Sequence, residues 1–75
     1  MRTHKFTGAF EFKLPSNMIK RNTVPDGKGG LVLTVGFEDG TEFTTTMNGN
    51  GTTVESNRDF SVEVIDGKSI FRLKE

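Results

Sequence analysis

Seventy-five residues support one hydrophobic core, so residues 1–75 are read as a single small domain with a few kcal/mol of net stability, about 3–5. The chain has no cysteine and one histidine, which excludes disulfides and Cys- or His-rich zinc sites; no metal and no cofactor are expected. The formal net charge is zero but unevenly spread. Residues 1–30 carry Arg2, Lys5, Lys13, Lys20, Arg21 and Lys28 against Glu11 and Asp26, a net +4, and residues 31–75 carry the balancing −4.

From Lys5 to Leu14 the hydropathy alternates with period two. Phe6, Gly8, Phe10, Phe12 and Leu14 share one face, with Lys5, Thr7, Ala9, Glu11 and Lys13 on the other. This pattern predicts one long, half-buried first strand with a bulge or bend at Gly8. Pro15 ends it. Residues 15–30 then read as a long loop: Ser16 or Asn17 could cap one helical turn, but Pro25 and three glycines within four residues forbid anything longer.

Leu31, Leu33, Val35 and Phe37 open the next strand, and Phe43, Thr45 and Met47 mark its partner. The faces decide the turn. A two-residue loop at Asp39-Gly40 would set the apolar row against Glu42 and Thr44. A three-residue loop, Glu38-Asp39-Gly40, sets Phe37 against Thr41, Val35 against Phe43 and Leu31 against Met47, which keeps one apolar face. Residues 47–52 are polar and glycine-rich and read as a loop, with a short strand or lead-in at 53–56. Phe60, Val62 and Val64 precede Asp66-Gly67, and a two-residue loop there sets Phe60 against Leu73 and Val62 against Phe71. The three Asp-Gly dipeptides share turn chemistry; their flanks do not repeat.

The expected fold is therefore all-β: about five antiparallel strands in a small SH3-like or OB-like barrel or a compact two-sheet sandwich, with a long loop after the first strand and two Asp-Gly hairpins. An open meander is the alternative.

No constellation of catalytic residues is present. His4, the only histidine, falls in a terminus expected to fray, and the carboxylates Glu38, Asp39 and Glu42 cluster at a solvated turn. Asp39-Gly40-Thr41-Glu42 and Asn48-Gly49-Asn50-Gly51 lack the twelve-residue calcium spacing, and Gly27-Lys28-Gly29-Gly30 precedes a strand where a phosphate loop would open a helix. No apolar run approaches the ~20 residues needed to cross a bilayer, and Met1–Lys5 has no apolar signal core, so a cytoplasmic protein without a membrane partner is expected.

Two binding readings are left. The first is a non-enzymatic protein-binding module, a regulator, inhibitor or adaptor that occupies a surface of a larger protein, a class that includes phage and plasmid accessory proteins. Its contact residues would be Met18, Ile19, Lys20, Arg21 and Lys28. Met18 and Ile19 either plug the core beneath the loop or form an exposed apolar anchor with a basic rim. An edge strand, either the first or the last, could also take a partner's extended segment. The second reading is a single-stranded DNA or RNA binder using Lys5, Lys13, Lys20, Arg21 and Lys28, with phenylalanines as stacking platforms. Phe6, Phe10 and Phe12 fall on the face opposite Lys5 and Lys13, however, which favours core roles for the rings. Self-association is the remaining way to complete so small a core.

Overall fold

The computed structural model describes residues 2–74. It is all-β, with eight strands and no helix among the described residues. In chain order these are β1 (Thr3–Phe6), β2 (Ala9–Phe12), β3 (Met18–Pro25), β4 (Leu31–Phe37), β5 (Glu42–Asn48), β6 (Gly51–Ser56), β7 (Phe60–Ile65) and β8 (Lys68–Leu73). They form a five-stranded sheet of order β1-β6-β5-β4-β3 and a three-stranded sheet of order β2-β8-β7.

The expected long first strand is in fact two strands in two sheets. Gly8 sits at φ +95°, a conformation that side-chain-bearing residues rarely adopt. The chain turns there, and β1 pairs with β6 while β2 pairs with β8. A bend at Gly8 was legible; the change of sheet was not. The β2–β8 pairing is parallel, with Phe12 beside Phe71, so the sheets are not wholly antiparallel as expected. Nor do they close into a barrel. Five strands become eight because Gly8 splits one, because the short strand or lead-in expected at 53–56 is a full strand, β6, and because a strand occupies most of the expected loop.

That strand is β3. It pairs antiparallel with β4 from Met18 opposite Phe37 to Pro25 opposite Leu31, with one irregularity between Met18 and Lys20. Asp26 closes the connection. Its Oδ1 accepts the backbone N–H groups of Lys28 at 2.6 Å and Gly30 at 2.9 Å, while Gly27 and Gly29 take positive φ. Those two backbone donors hold the Asp26 carboxyl below its ordinary pKa.

β4 and β5 pair with Val35 opposite Phe43 and Leu31 opposite Met47, and the Phe37 N–H donates to the Thr41 carbonyl at 2.9 Å. β7 and β8 pair with Phe60 opposite Leu73 and Val62 opposite Phe71. Asp66 and Gly67 between them both have positive φ, the hand that matches strand twist in a two-residue connection. The expected loop at 47–52 is mostly strand: Asn48 pairs with Gly51, and the Asn48 side chain caps the tight turn by accepting the Asn50 N–H at 2.8 Å.

The core lies between the two sheets. Phe43 on β5 meets Phe12 on β2 at a ring separation of 4.6 Å and Phe60 on β7 at 5.6 Å. Phe71 on β8 contacts Phe6, Phe12 and Phe60 at 5.3, 5.4 and 5.7 Å. Leu33, Val35, Phe37 and Val54 complete the buried set. His4 does not fray: it pairs with Val54 in β1 and its ring lies 6.0 Å from Phe6.

One core position is mismatched. Thr45 is fully buried between Leu33 and Val54 in the sheet, and its hydroxyl has no hydrogen-bond partner. A buried hydroxyl without a partner costs about 1–3 kcal/mol. Thr45→Val keeps the shape and removes the hydroxyl, so it is expected to stabilise the fold by about 1 kcal/mol, or ~4–8 °C in Tm for a domain of this size. A thermal melt checks it; an unchanged or lower Tm would mean that the hydroxyl is satisfied in solution.

Candidate partner-binding edge

β3 is the last strand of the larger sheet, and all eight of its residues are exposed. The pairing explains why. Arg21 and Thr23 lie opposite Val35 and Leu33, so they share the core-facing side of the sheet, yet they remain exposed where their β4 neighbours are buried. The second layer therefore does not reach β3. Lys20, Asn22 and Val24 lie opposite Gly36, Thr34 and Val32 on the outer side. The Lys20 stem crosses Gly36: a Cβ there would come within 3.3 Å of the Lys20 Cβ.

The backbone of β3 can be assigned by alternation. Asp26 and Gly30 exchange a bond across the hairpin, the Asp26 N–H donating to the Gly30 carbonyl at 3.1 Å. In an antiparallel ladder every second pair is hydrogen-bonded, so Val24, Asn22 and Lys20 bond inwards to β4. Arg21 and Thr23 then point both N–H and C=O at the free edge. Pro25 also faces outwards, where its missing N–H costs the ladder nothing.

Met18 is 45% exposed and Ile19 67%. They are not a plug under a loop; they sit at the irregular start of β3, beside Lys20 and Arg21. Neither Lys20 nor Arg21 makes an ion pair among the described residues. Four of the five residues proposed for partner contact are thus consecutive on one edge. Lys28 is separate, in the Asp26–Gly30 turn at the far end of the strand.

The residues proposed for nucleic-acid contact are not brought together. Lys5 is on β1, the opposite edge of the sheet, with β6, β5 and β4 between, about 19 Å from β3 at ~4.8 Å per strand. Lys13 leaves β2 in the other sheet and lies 3.6 Å from Glu11. Phe6, Phe10 and Phe12 pack against the core. Of the two edges suggested for strand addition, the first strand is an edge but the last is not, since β8 lies between β2 and β7.

The turns that resemble calcium loops use their oxygens internally. Asp39 accepts the Thr41 N–H at 2.9 Å and pairs with Arg58 at 3.3 Å. The Thr41 hydrogen bonds, assisted by Arg58, hold its carboxyl below the ordinary range. Among the described residues no three His, Asp or Glu side chains gather as a metal set.

No family model matches the sequence, and no curated protein or solved structure matches it either.

Proposed function

We propose that this chain is a non-enzymatic protein-binding module that takes an extended, acidic segment of a larger protein as an added strand along β3. The observation that carries the reading is the free edge itself: an eight-residue strand, exposed throughout, with the Arg21 and Thr23 backbone groups turned outwards. Strand addition draws affinity from main-chain hydrogen bonds and selectivity from the side chains beside them. Here Lys20 and Arg21 select carboxylates, and Met18 and Ile19 offer an apolar contact at one end.

The same charges bear on self-pairing. A second copy docking edge to edge would bring two Lys20-Arg21 pairs together, which like-charge repulsion disfavours. The irregularity at Met18–Lys20 and the proline at 25 shorten the pairable stretch further. These devices protect the edge from its own kind and leave it open to a segment of opposite charge.

The test is selection from a library of ten-residue peptides, followed by amide hydrogen exchange on the complex. Selected peptides should be acidic and free of proline, and the Arg21 and Thr23 amides should become protected. Thr23→Pro removes an outward donor at a position where the fold does not use it, so it should lower affinity about tenfold with little change in Tm. Peptide binding that leaves those two amides unprotected, or that survives Thr23→Pro intact, overturns the proposal. Binding to single-stranded oligonucleotides that falls by roughly a thousandfold between 50 and 200 mM salt would put the nucleic-acid reading in its place.

A further inference from the structure

A second concave feature lies away from the β3 edge, where the sheets part between the exit of β2, the β4–β5 turn and the end of β8. It is an open cleft of about 540 Å³, within the ~300–1,000 Å³ range of small-molecule sites. Its walls carry four cations, Lys13, Arg58, Arg72 and Lys74, against one carboxylate, Asp39. In a chain of zero net charge that is a marked local excess of positive charge.

The cations are not equivalent. Arg58 is fixed in place: one guanidinium nitrogen, Nη1, donates to Asp39 Oδ2 at 3.3 Å and to Thr41 Oγ1 at 3.2 Å, which leaves Nη2 and Nε for a ligand. Its backbone N–H is held by the Ser56 hydroxyl at 3.1 Å. The side chains of Arg72 and Lys74, two residues apart at the end of β8, make no ion pair or hydrogen bond among the described residues, while the Lys74 backbone N–H donates to the Asp59 carbonyl at 3.1 Å. Lys13 is shared with Glu11 at 3.6 Å. Asp39 offsets one of the four positive charges, that of Arg58, with which it pairs at 3.3 Å.

The remainder of the lining is aliphatic. Leu14, Pro15 and Leu73 contribute it, and no aromatic ring faces the cleft. The cleft has no aromatic platform for a nucleobase, whereas a saturated chain would lie against the two leucines. We propose that the cleft binds a small aliphatic molecule bearing a carboxylate or phosphate group, with Arg58, Arg72 and Lys74 on the anion and Leu14 and Leu73 on the chain. Guanidinium groups suit both anions because their paired N–H donors match two oxygens at once.

The test is a nitrogen–proton NMR titration of the whole 75-residue chain with hexanoate, hexyl phosphate, inorganic phosphate and hexanol at constant ionic strength. One of the two amphiphilic anions should bind with a dissociation constant below about 1 mM, and which one does so identifies the anion. Shifts should concentrate at residues 13–15, 58 and 72–74. Inorganic phosphate and hexanol should each bind at least about tenfold more weakly, since each lacks one half of the recognition. Arg72→Gln combined with Lys74→Gln should weaken binding about tenfold while the remaining resonances stay in place, which shows that the fold is kept. Equal affinity for inorganic phosphate, shifts scattered over all surface cations, or no saturable binding would each overturn the proposal.

Discussion

Phe71→Ala is expected to leave the protein largely unfolded at room temperature. Phe71 is fully buried, and its ring contacts Phe6, Phe10, Phe12 and Phe60, at 5.3 to 6.5 Å. Those partners come from β1, β2 and β7, so one side chain on β8 joins elements of both sheets. Truncating a buried phenylalanine costs about 3–5 kcal/mol, and a domain of this size without disulfide or metal has about the same total stability. The two magnitudes cancel. Circular dichroism should show loss of the sheet signal at 25 °C without denaturant. Phe71→Leu, which keeps most of the volume, should fold with a lowered Tm. A Phe71→Ala protein that melts cooperatively near the wild-type temperature would show that the aromatic cluster is not what holds the sheets together.

Gly30→Ala is expected to be nearly as damaging, although it adds only a single methyl group, because Gly30 is buried. A Cβ on Gly30 would collide with the backbone carbonyl oxygen of Met47 and come within 2.6 Å of Asp26 Oδ2. Neither can simply swing away. The Met47 carbonyl belongs to the β4–β5 ladder, since Met47 pairs with Leu31. The Asp26 carboxylate is held by the Lys28 and Gly30 amides. Relief therefore requires breaking the Asp26 turn or spreading β4 from β5, and overpacking of this kind costs about 1–3 kcal/mol, sometimes more. We expect a loss of about 3 kcal/mol in urea unfolding. Gly49→Ala, where a Cβ would meet nothing within 4 Å, is the matched control and should change stability by about 0.5 kcal/mol or less.

The contrast between β4–β5 and β3 shows what could be read from residues alone. Val35 opposite Phe43 was legible because one register puts all the apolar side chains on one face and the other does not. β3 gave no such signal. Met18-Ile19-Lys20-Arg21-Asn22-Thr23-Val24 has no alternation because neither side of the strand is covered, and periodicity records burial, not backbone conformation. The β-branched Ile19, Thr23 and Val24 were the available hint, outweighed by Pro25 and the glycines after it. Read instead as the far side of an edge strand, Pro25 is compatible with pairing. Lys20 and Arg21 were singled out for their charge, and the structure sets them beside Met18 and Ile19 on one edge. Arg72 and Lys74 read from the sequence as charges guarding a strand edge, and nothing joined them to Arg58, 14 and 16 positions earlier; the parting of the two sheets gathers the three. The β2–β8 pairing was also out of reach. Parallel neighbours 59 positions apart, such as Ala9 and Lys68, share no turn to announce them.

That pairing sets an order of events during synthesis. β1, β3, β4, β5 and β6 can assemble as soon as Ser56 has left the ribosome, since every partner in the larger sheet has by then been made. What results is half a molecule, with Val35, Phe43 and Val54 bare on one side. β2 has emerged near the start and must wait, unpaired, until β8 arrives to lie between it and β7. Until it does, the folding chain exposes an apolar sheet and an orphan Phe-rich strand, which is the kind of surface a holding chaperone covers.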